Sequence, residues 1–285
     1  MKPFIKWAGG KHRLVPQIQA LLPTGQRLVE PFVGSGAVWL NTSYPEARLA
    51  DANRDLILLY QTLQQHGATF IDYCRQLFVN ENNDAERYYG LRDRFNGSRD
   101  PWEKSALFLY LNRHGYNGLC RYNASGGFNV PFGRYRHPYF PQEEMSYFYQ
   151  KSQSAQFIHA DFRSILQTLA PGDVVYCDPP YVPLSMTANF TDYASGGFGQ
   201  KDQDDLARLA HDLGKRGIAV LISNHATDYT REAYRGAHLE FFSVQRFISR
   251  DAQNRKKAEE ILALFGGPDP GRRGRTSING GSDLS

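Results

Sequence analysis

The stretch Asp178-Pro179-Pro180-Tyr181 follows the apolar run Val174-Val175-Tyr176-Cys177 and gathers residue types suited to one chemistry, methyl transfer to an amino group conjugated with a ring. Such a nitrogen is a poor nucleophile because its lone pair is delocalised. The Asp178 carboxylate and the Pro179 carbonyl are two acceptors that could take its hydrogens and draw the nitrogen toward a tetrahedral shape. Proline fixes φ, which holds the carbonyl direction, and brings no N–H to compete for the site. Tyr181 offers a flat face on which a planar base can stack, a contact worth roughly 1–3 kcal/mol per base. The plainer reading is a Pro-Pro turn after a strand with an incidental acid.

Such a constellation needs a sheet edge to hold it. A four-residue apolar run between Pro171-Gly172 and Pro179-Pro180 reads as a buried strand that stops abruptly. In an open α/β sheet the carboxyl edge is where ligands bind. Upstream, Leu28-Val29 leads into Glu30-Pro31-Phe32-Val33-Gly34-Ser35-Gly36 and then Ala37 to Asn41, a strand, a glycine turn and a helix start. Arg48-Leu49-Ala50 reads as a second strand ending at Asp51, so a right-handed crossover and a parallel sheet are expected. Gly34 and Gly36 let a ligand approach the backbone, and the Asp51 carboxylate could bind both hydroxyls of a ribose. The third glycine favoured by a dinucleotide's pyrophosphate is missing, which points to S-adenosylmethionine instead of NAD. Lys6-Trp7-Ala8-Gly9-Gly10-Lys11 has the look of a phosphate loop, but His12 stands where a hydroxyl is required, so ATP is rejected.

Between these strands the pattern changes. Asp55 to about Phe78 and Trp102 to Leu111 have helical apolar spacing, whereas Asn112 to Tyr139 is rich in Gly, Asn, Pro and aromatics and reads as a hairpin or ordered loop. Phe157 to Ala160 resumes the strand pattern, and Gln203 to Lys215 reads as a helix before the strand Ala219 to Ile222. The expected architecture is a Rossmann-like α/β sheet formed by residues 1–55 and 145–265, carrying an inserted helical and hairpin domain at 56–144. Residues 266–285, rich in Gly, Ser, Arg and Pro, read as a flexible tail.

The 285-residue chain carries a formal charge of only +4, too little to diagnose a polyanionic partner. Distribution says more: from Glu86 to Arg136 nine Lys or Arg face four acids, and eleven aromatics interleave with them. Such a surface neutralises phosphates and stacks or wedges bases; the alternative is an aromatic core beneath a solvated basic face. Cys74, Cys120 and Cys177 are odd in number and widely spaced, which argues for a reducing cytoplasm and against disulfides or a thiolate zinc site. The eight histidines lack metal-ligand spacing, and no metal is expected. No apolar run approaches the ~18 residues of a membrane helix, and no signal peptide opens the chain.

Taken together, Lys6 to Lys11, Glu30 to Gly36, Asn112 to Asn123, Phe128 to Tyr135, Asp178 to Tyr181 and Ile222-Ser223-Asn224-His225 resemble the Dam-type DNA adenine methyltransferases, in motif order as well as content. The resemblance runs from about Pro3 to Phe265. It implies transfer of a methyl group from S-adenosylmethionine to the N-6 amino group of adenine, commonly in GATC, by a bacterial or phage-encoded enzyme. Trp7, Lys11, Glu30, Phe32, Gly34, Gly36, Asp51 and Asp178 would form the cofactor site, with Asp161 and Phe162 near its adenine. The catalytic residues would be Asp178, Pro179, Pro180 and Tyr181.

By the same resemblance, Asn112 to Asn123 would be a reading hairpin on duplex DNA. Arg121 would fork onto a guanine, a pairing worth ~1–3 kcal/mol of discrimination, and Tyr116 and Asn117 would wedge into the duplex as adenine flips out. Leu119 and Pro131 would touch a thymine methyl, and Lys6 and Tyr135 would lie near the outer guanine. Arg92, Arg113 and Asn129 would contact phosphates, which position without specifying; Asn123 and Arg134 complete the DNA-binding set. Ser185 to Thr191 would be a mobile loop over the flipped base. His114 departs from the family's usual aromatic. Transfer would be direct and in line, with neither covalent intermediate nor obligate protein partner. An enzyme acting on RNA or a protein glutamine, and a DNA-binding protein that has lost catalysis, are the competing readings; intact Asp178 to Tyr181, Gly34, Gly36 and Asp51 speak against the latter.

Overall fold

Valine-rich strands with no polar alternation must be covered on both faces, and strand β4 (Asp173–Cys177) is buried at every position. The computed structural model describes residues 1–183, 197–244 and 258–267. The expected loop at 185–191 and the expected tail from residue 268 onward lie outside them. Strand β1 (Arg27–Glu30) pairs in parallel with β2 (Glu46–Asp51) on one side and with β4 on the other. Strand β3 (Ala155–His159) extends the sheet beyond β2, and β5 (Ala219–His225) extends it beyond β4. Strand β7 (Ala258–Phe265) then runs antiparallel between β5 and the edge strand β6 (His238–Val244). The seven-stranded order β3-β2-β1-β4-β5-β7-β6 is the expected Rossmann-like α/β sheet, with two strands that the sequence reading lacked. Because β1 and β4 are neighbours from opposite arms of the winding, their carboxyl edges flank the crevice where such sheets bind ligands.

Four stretches differ from expectation. Ala37 to Asn41 makes only a short 3-10 turn, Trp39–Asn41. The Asn41 amide donates to the Ala37 carbonyl and the Thr42 hydroxyl to that of Trp39, so side chains compete with a continuing helix. Helix α4 (Pro101–His114) runs past Leu111, because Asn112 is satisfied where it sits: it accepts from the Lys6 amide at 2.8 Å and donates to the Lys6 carbonyl at 2.7 Å. Helices α3 (Ala85–Gly97) and α5 (Gln142–Ser152) had no counterpart in the sequence reading; α3 buries only Tyr88 and Phe95, too little apolar surface to give a clear period.

The inserted segment does not stand apart from the sheet. Phe4, Phe148 and Phe157 on the sheet side form one contiguous core with Tyr60, Tyr88, Phe95, Phe108 and Phe128 of the insertion. Much of the aromatic interleaving between Glu86 and Arg136 is therefore core, as the alternative reading had it, while Tyr116 remains 51% exposed. A second core on the opposite face contains Phe162, Leu206, Leu213, Tyr234 and Phe265. Among the described residues no helix is long and apolar enough to cross a membrane.

Helix α2 (Arg54–Arg75) carries the insertion away from the sheet and kinks at Gly67, whose φ of +50° is left-handed. A Cβ there would lie 2.7 Å from the Tyr149 ring of α5. Gly67→Ala is expected to lower stability by ~2–4 kcal/mol, combining backbone strain with overpacking. Urea unfolding checks this, and an unchanged midpoint would contradict it.

Candidate active site

Strand β4 ends at Cys177, and the chain leaves the sheet through Asp178. One oxygen of its carboxylate, Oδ1, meets the Lys11 ammonium at 2.9 Å and accepts the Ser223 hydroxyl at 2.9 Å. Burial pushes the Asp178 pKa up, and the Lys11 charge and the Ser223 hydroxyl oppose that push. Lys11, itself 7% exposed, also donates to the Gly9 carbonyl at 2.6 Å and lies 4.5 Å from the centre of the Tyr181 ring. Pro179 is buried, Pro180 exposed and Tyr181 half-buried. The Tyr181 hydroxyl donates to Glu260 of β7 at 3.2 Å, and its ring meets His225 edge to face. Ser223 and Glu260 were not assigned roles from the sequence. Only register reveals them: Ser223 sits on the strand beside β4, and Glu260 pairs with His225 on an antiparallel neighbour that comes late in the chain.

Next to this loop, β1 ends at Glu30 and enters the glycine turn. Gly34 and Gly36 both adopt positive φ, and Gly34 packs so closely on the Trp7 indole that a Cβ would fall 2.8 Å from it. That contact fixes Trp7 over the turn. The Gly34 amide donates to Asp51 Oδ2 at 3.0 Å and the Asn53 amide to Oδ1 at 2.9 Å, so the carboxylate at the end of β2 is oriented by backbone. Burial raises its pKa; these amides counter the rise. Glu30 is 2% exposed, and its Oε1 finds no hydrogen-bond partner among the described residues. Burial, with the Asp178 charge adding to it, pushes its pKa up to about 8 against the Trp39 amide. An orphaned carboxylate oxygen beside a nucleoside-type half-site fits a ligand that brings a positive charge. Phe32 and Phe162 pack at 5.2 Å with Phe162 buried, and the exposed Asp161 caps α6 (Phe162–Leu166) and pairs with Arg163.

The recognition candidates divide into exposed and committed groups. Residues 115–132 form a hairpin held by isolated bridges, Gly115 with Phe132 and Tyr122 with Phe128. Tyr116, Asn117, Arg121, Asn123, Pro131 and Arg134 are exposed on it, Leu119 is half-buried, and Asn117 and Arg134 have positive φ. Arg121 is not free to wander: its Nε donates to Asn129 Oδ1 at 2.8 Å and its Nη2 to the Asn129 carbonyl at 3.0 Å. The Asn123 side-chain oxygen is engaged in the turn, accepting from Ser125 and Gly127. Lys6 lies over the Tyr135 ring at 3.8 Å and donates to the Arg113 carbonyl. Desolvation, then the Arg113 charge, lowers its pKa. Arg92 is half-buried against Tyr89.

Arg113 requires a correction. Expected as a phosphate contact, it lies in the last turn of α4, 9% exposed, and its Nε donates to the Tyr139 carbonyl at 3.0 Å. The longer helix turns it inward, where it braces the loop at Tyr139. His114, one residue on, stacks on Tyr110 at 4.0 Å and contacts Phe78, so the imidazole fills a flat aromatic slot; desolvation lowers its pKa to about 4, leaving it neutral there. A polar path joins the hairpin to the carboxyl end of β2. Asn53 donates to Cys120 Sγ at 3.3 Å, and the Tyr122 hydroxyl donates to Asp55 at 2.7 Å, so Cys120 and Tyr122, either side of Arg121, rest on the start of α2 just past Asp51.

A sheet that is parallel from β3 to β5, with a glycine turn after β1, an oriented carboxylate at the end of β2 and an acid-Pro-Pro-Tyr loop after β4, has the layout of a group-transfer enzyme. The family model for D12 class N6 adenine-specific DNA methyltransferases matches residues 7–249. Curated relatives named DNA adenine methylase are similar along nearly the whole chain. The Serratia marcescens protein is 51% identical over 265 residues, covering 93% of this chain and 98% of its own. That of Escherichia coli strain K12 is 50% identical over 264 residues, covering 93% and 95%. The chain belongs to the D12 class N6 adenine-specific DNA methyltransferases and is an enzyme that methylates adenine in DNA.

Glu30 gives this site a pH signature. Its pKa in the fold, about 8, lies above the unfolded value near 4.5, so the native state holds a proton that the unfolded chain has lost between those limits. Stability should therefore fall as pH rises from about 4.5 to 8, by at most roughly 5 kcal/mol. Glu30→Gln should flatten this slope and gain most at and above pH 8. Urea midpoints measured from pH 5 to 9 check it; parallel slopes for both proteins would contradict the assignment.

Proposed function

We propose that this enzyme transfers the methyl group of S-adenosylmethionine to the N-6 nitrogen of adenine in duplex GATC sites, acting on a base swung out of the helix. What carries the reading is the adjacency of two strand ends: Asp178-Pro179-Pro180-Tyr181 leaves β4 beside the Glu30 to Gly36 turn that leaves β1. The bound cofactor would supply an electrophilic methyl group. Trp7, Glu30, Phe32, Gly34, Gly36 and Asp51 would hold it, Asp51 through ribose hydroxyls and Glu30 through a cationic group, with Lys11, Asp161 and Phe162 completing the site.

On the substrate side, Tyr181 stacks the adenine, and the Asp178 carboxylate and the Pro179 carbonyl accept the two amino hydrogens. Oδ1 of Asp178 already receives Lys11 and Ser223, which leaves Oδ2 as the acceptor for the base. Holding both hydrogens in fixed directions turns the nitrogen lone pair toward the incoming methyl group, so positioning does most of the work. An adenine inside a duplex cannot reach such a site, and extrusion follows from that geometry. Residues 56–144 would serve as the recognition domain, with Arg121 reading a guanine, Tyr116 and Asn117 wedging the duplex, and Leu119 and Pro131 contacting a thymine methyl. Lys6 and Tyr135 would lie at the outer guanine, with Arg92, Asn123, Asn129 and Arg134 along the backbone.

Plasmid methylated by the enzyme and digested with a methyl-sensitive GATC nuclease tests the site. Protection is expected, and full cleavage despite incorporation of labelled methyl groups would overturn GATC. Asp178→Ala should abolish transfer; more than a tenth of wild-type turnover in the folded variant would remove the acid from its role. For Arg121→Ala, a loss of about 1–3 kcal/mol confined to one base pair is expected from kcat/KM on GATC and its single-base variants. A uniform fall on every sequence would mark a phosphate contact instead.

A further inference from the structure

The catalytic loop reaches the described surface through two consecutive peptide groups, one on each side of Tyr181, and each is gripped by a buried side-chain amide. Gln203, on α7 (Gln200–Lys215), donates from Nε2 to the Pro180 carbonyl at 2.7 Å. Asn224, on β5, accepts the Val182 amide at 3.1 Å through Oδ1. The two side chains are joined, Asn224 Nδ2 donating to Gln203 Oε1 at 3.1 Å and to the Tyr234 hydroxyl at 3.0 Å, while Oδ1 also accepts the His225 amide at 2.9 Å. Gln203 is 2% and Asn224 0% exposed.

Burying two primary amides is costly unless every donor and acceptor is used. Asn224 uses its whole set, two donated and two accepted bonds, and Gln203 donates one and accepts one. Packing alone does not call for it, since an apolar pair of similar volume would fill the space without the polar cost. What the amides add is direction, because a hydrogen bond to a carbonyl and one from an N–H fix the planes of both peptide groups.

We propose that Gln203 and Asn224 are positioning residues for methyl transfer. By locking the peptide groups flanking Tyr181 they set the ring plane on which the base stacks and, through the rigid Pro179-Pro180 unit, the direction of the Pro179 carbonyl. This inference rests on the catalytic reading of Asp178 to Tyr181 given above.

Two single-bond deletions from the same network separate positioning from stability. Gln203→Met removes the bond to the loop, and Tyr234→Phe removes one that points away from it. Under single-turnover conditions with saturating cofactor and DNA, Gln203→Met should slow methylation at least tenfold while dissociation constants for both ligands stay within about twofold. Tyr234→Phe should keep the wild-type rate. Equal rates for the two variants, slow or fast, would overturn the proposal.

Should Gln203→Met fail to fold, Gln203→Glu gives an independent reading. Its protonated carboxyl can donate to the Pro180 carbonyl and its carboxylate cannot, so activity should fall as pH rises through the pKa of the new acid, a limb absent from the wild type. A pH profile parallel to that of the wild type would also overturn the proposal. Should Asp178→Ala retain turnover, the catalytic reading itself fails; with Asp178→Ala inactive, equal rates for Gln203→Met and Tyr234→Phe remove only the positioning role.

Discussion

The site depends on keeping a carboxylate charged and aimed at a place where burial works against its charge. Asp178 meets that demand with one ammonium and one hydroxyl, both on Oδ1, drawn from the amino-terminal segment and from β5. The arrangement explains why β4 must lie between β1 and β5: one neighbour brings the glycine turn and the other brings Ser223. Glu30 makes the demand sharper, since a second buried acid next door raises the cost of ionising either. A cationic group bound beside Glu30 would favour its ionised form and relieve that cost.

Chemistry was more legible in the sequence than architecture. Asp178 to Tyr181, Gly34, Gly36 and Asp51 could be read because each is a residue type tied to a backbone position, the end of a strand or a tight turn. Five strands were legible as apolar runs. β6 and β7 were not, because His238–Val244 lies at an edge with polar residues along it and β7 opens on two acids. Arg113 was given to phosphate by resemblance, and the extension of α4 by three residues turns its side chain inward. Gln203 carries no local signal, and Ser223 lies in the Ile222-Ser223-Asn224-His225 motif with nothing local to give it a role. Their partners are remote in sequence, and only the register of β5 against β4 and the docking of α7 bring them to the loop.

The two halves of the site are joined by one short stretch. Asp51 closes the glycine turn, Asn53 caps α2 and touches Cys120, and Asp55 receives Tyr122, so five residues of chain tie the glycine turn to the hairpin. Lys6 does the same from the other direction, bonded to Asn112 and Arg113 of α4 only a few residues from Lys11. The hairpin is therefore referenced to the sheet by polar bonds as well as by the shared aromatic core.

The placement of β1 also bears on how the chain acquires its shape. Its partner β4 lies far along the sequence: Arg27, which pairs with Asp173 through two hydrogen bonds of 2.8 and 3.0 Å, is 146 positions away from it. Contacts of such separation slow folding, because chain entropy is surrendered before the pairing repays it. During synthesis β1, β2 and the entire insertion leave the ribosome before β4 exists, so the insertion's helices can assemble from local contacts while β1 still lacks a neighbour on one side. The ligand crevice, which lies at that last seam, is thus among the final features of the molecule to form.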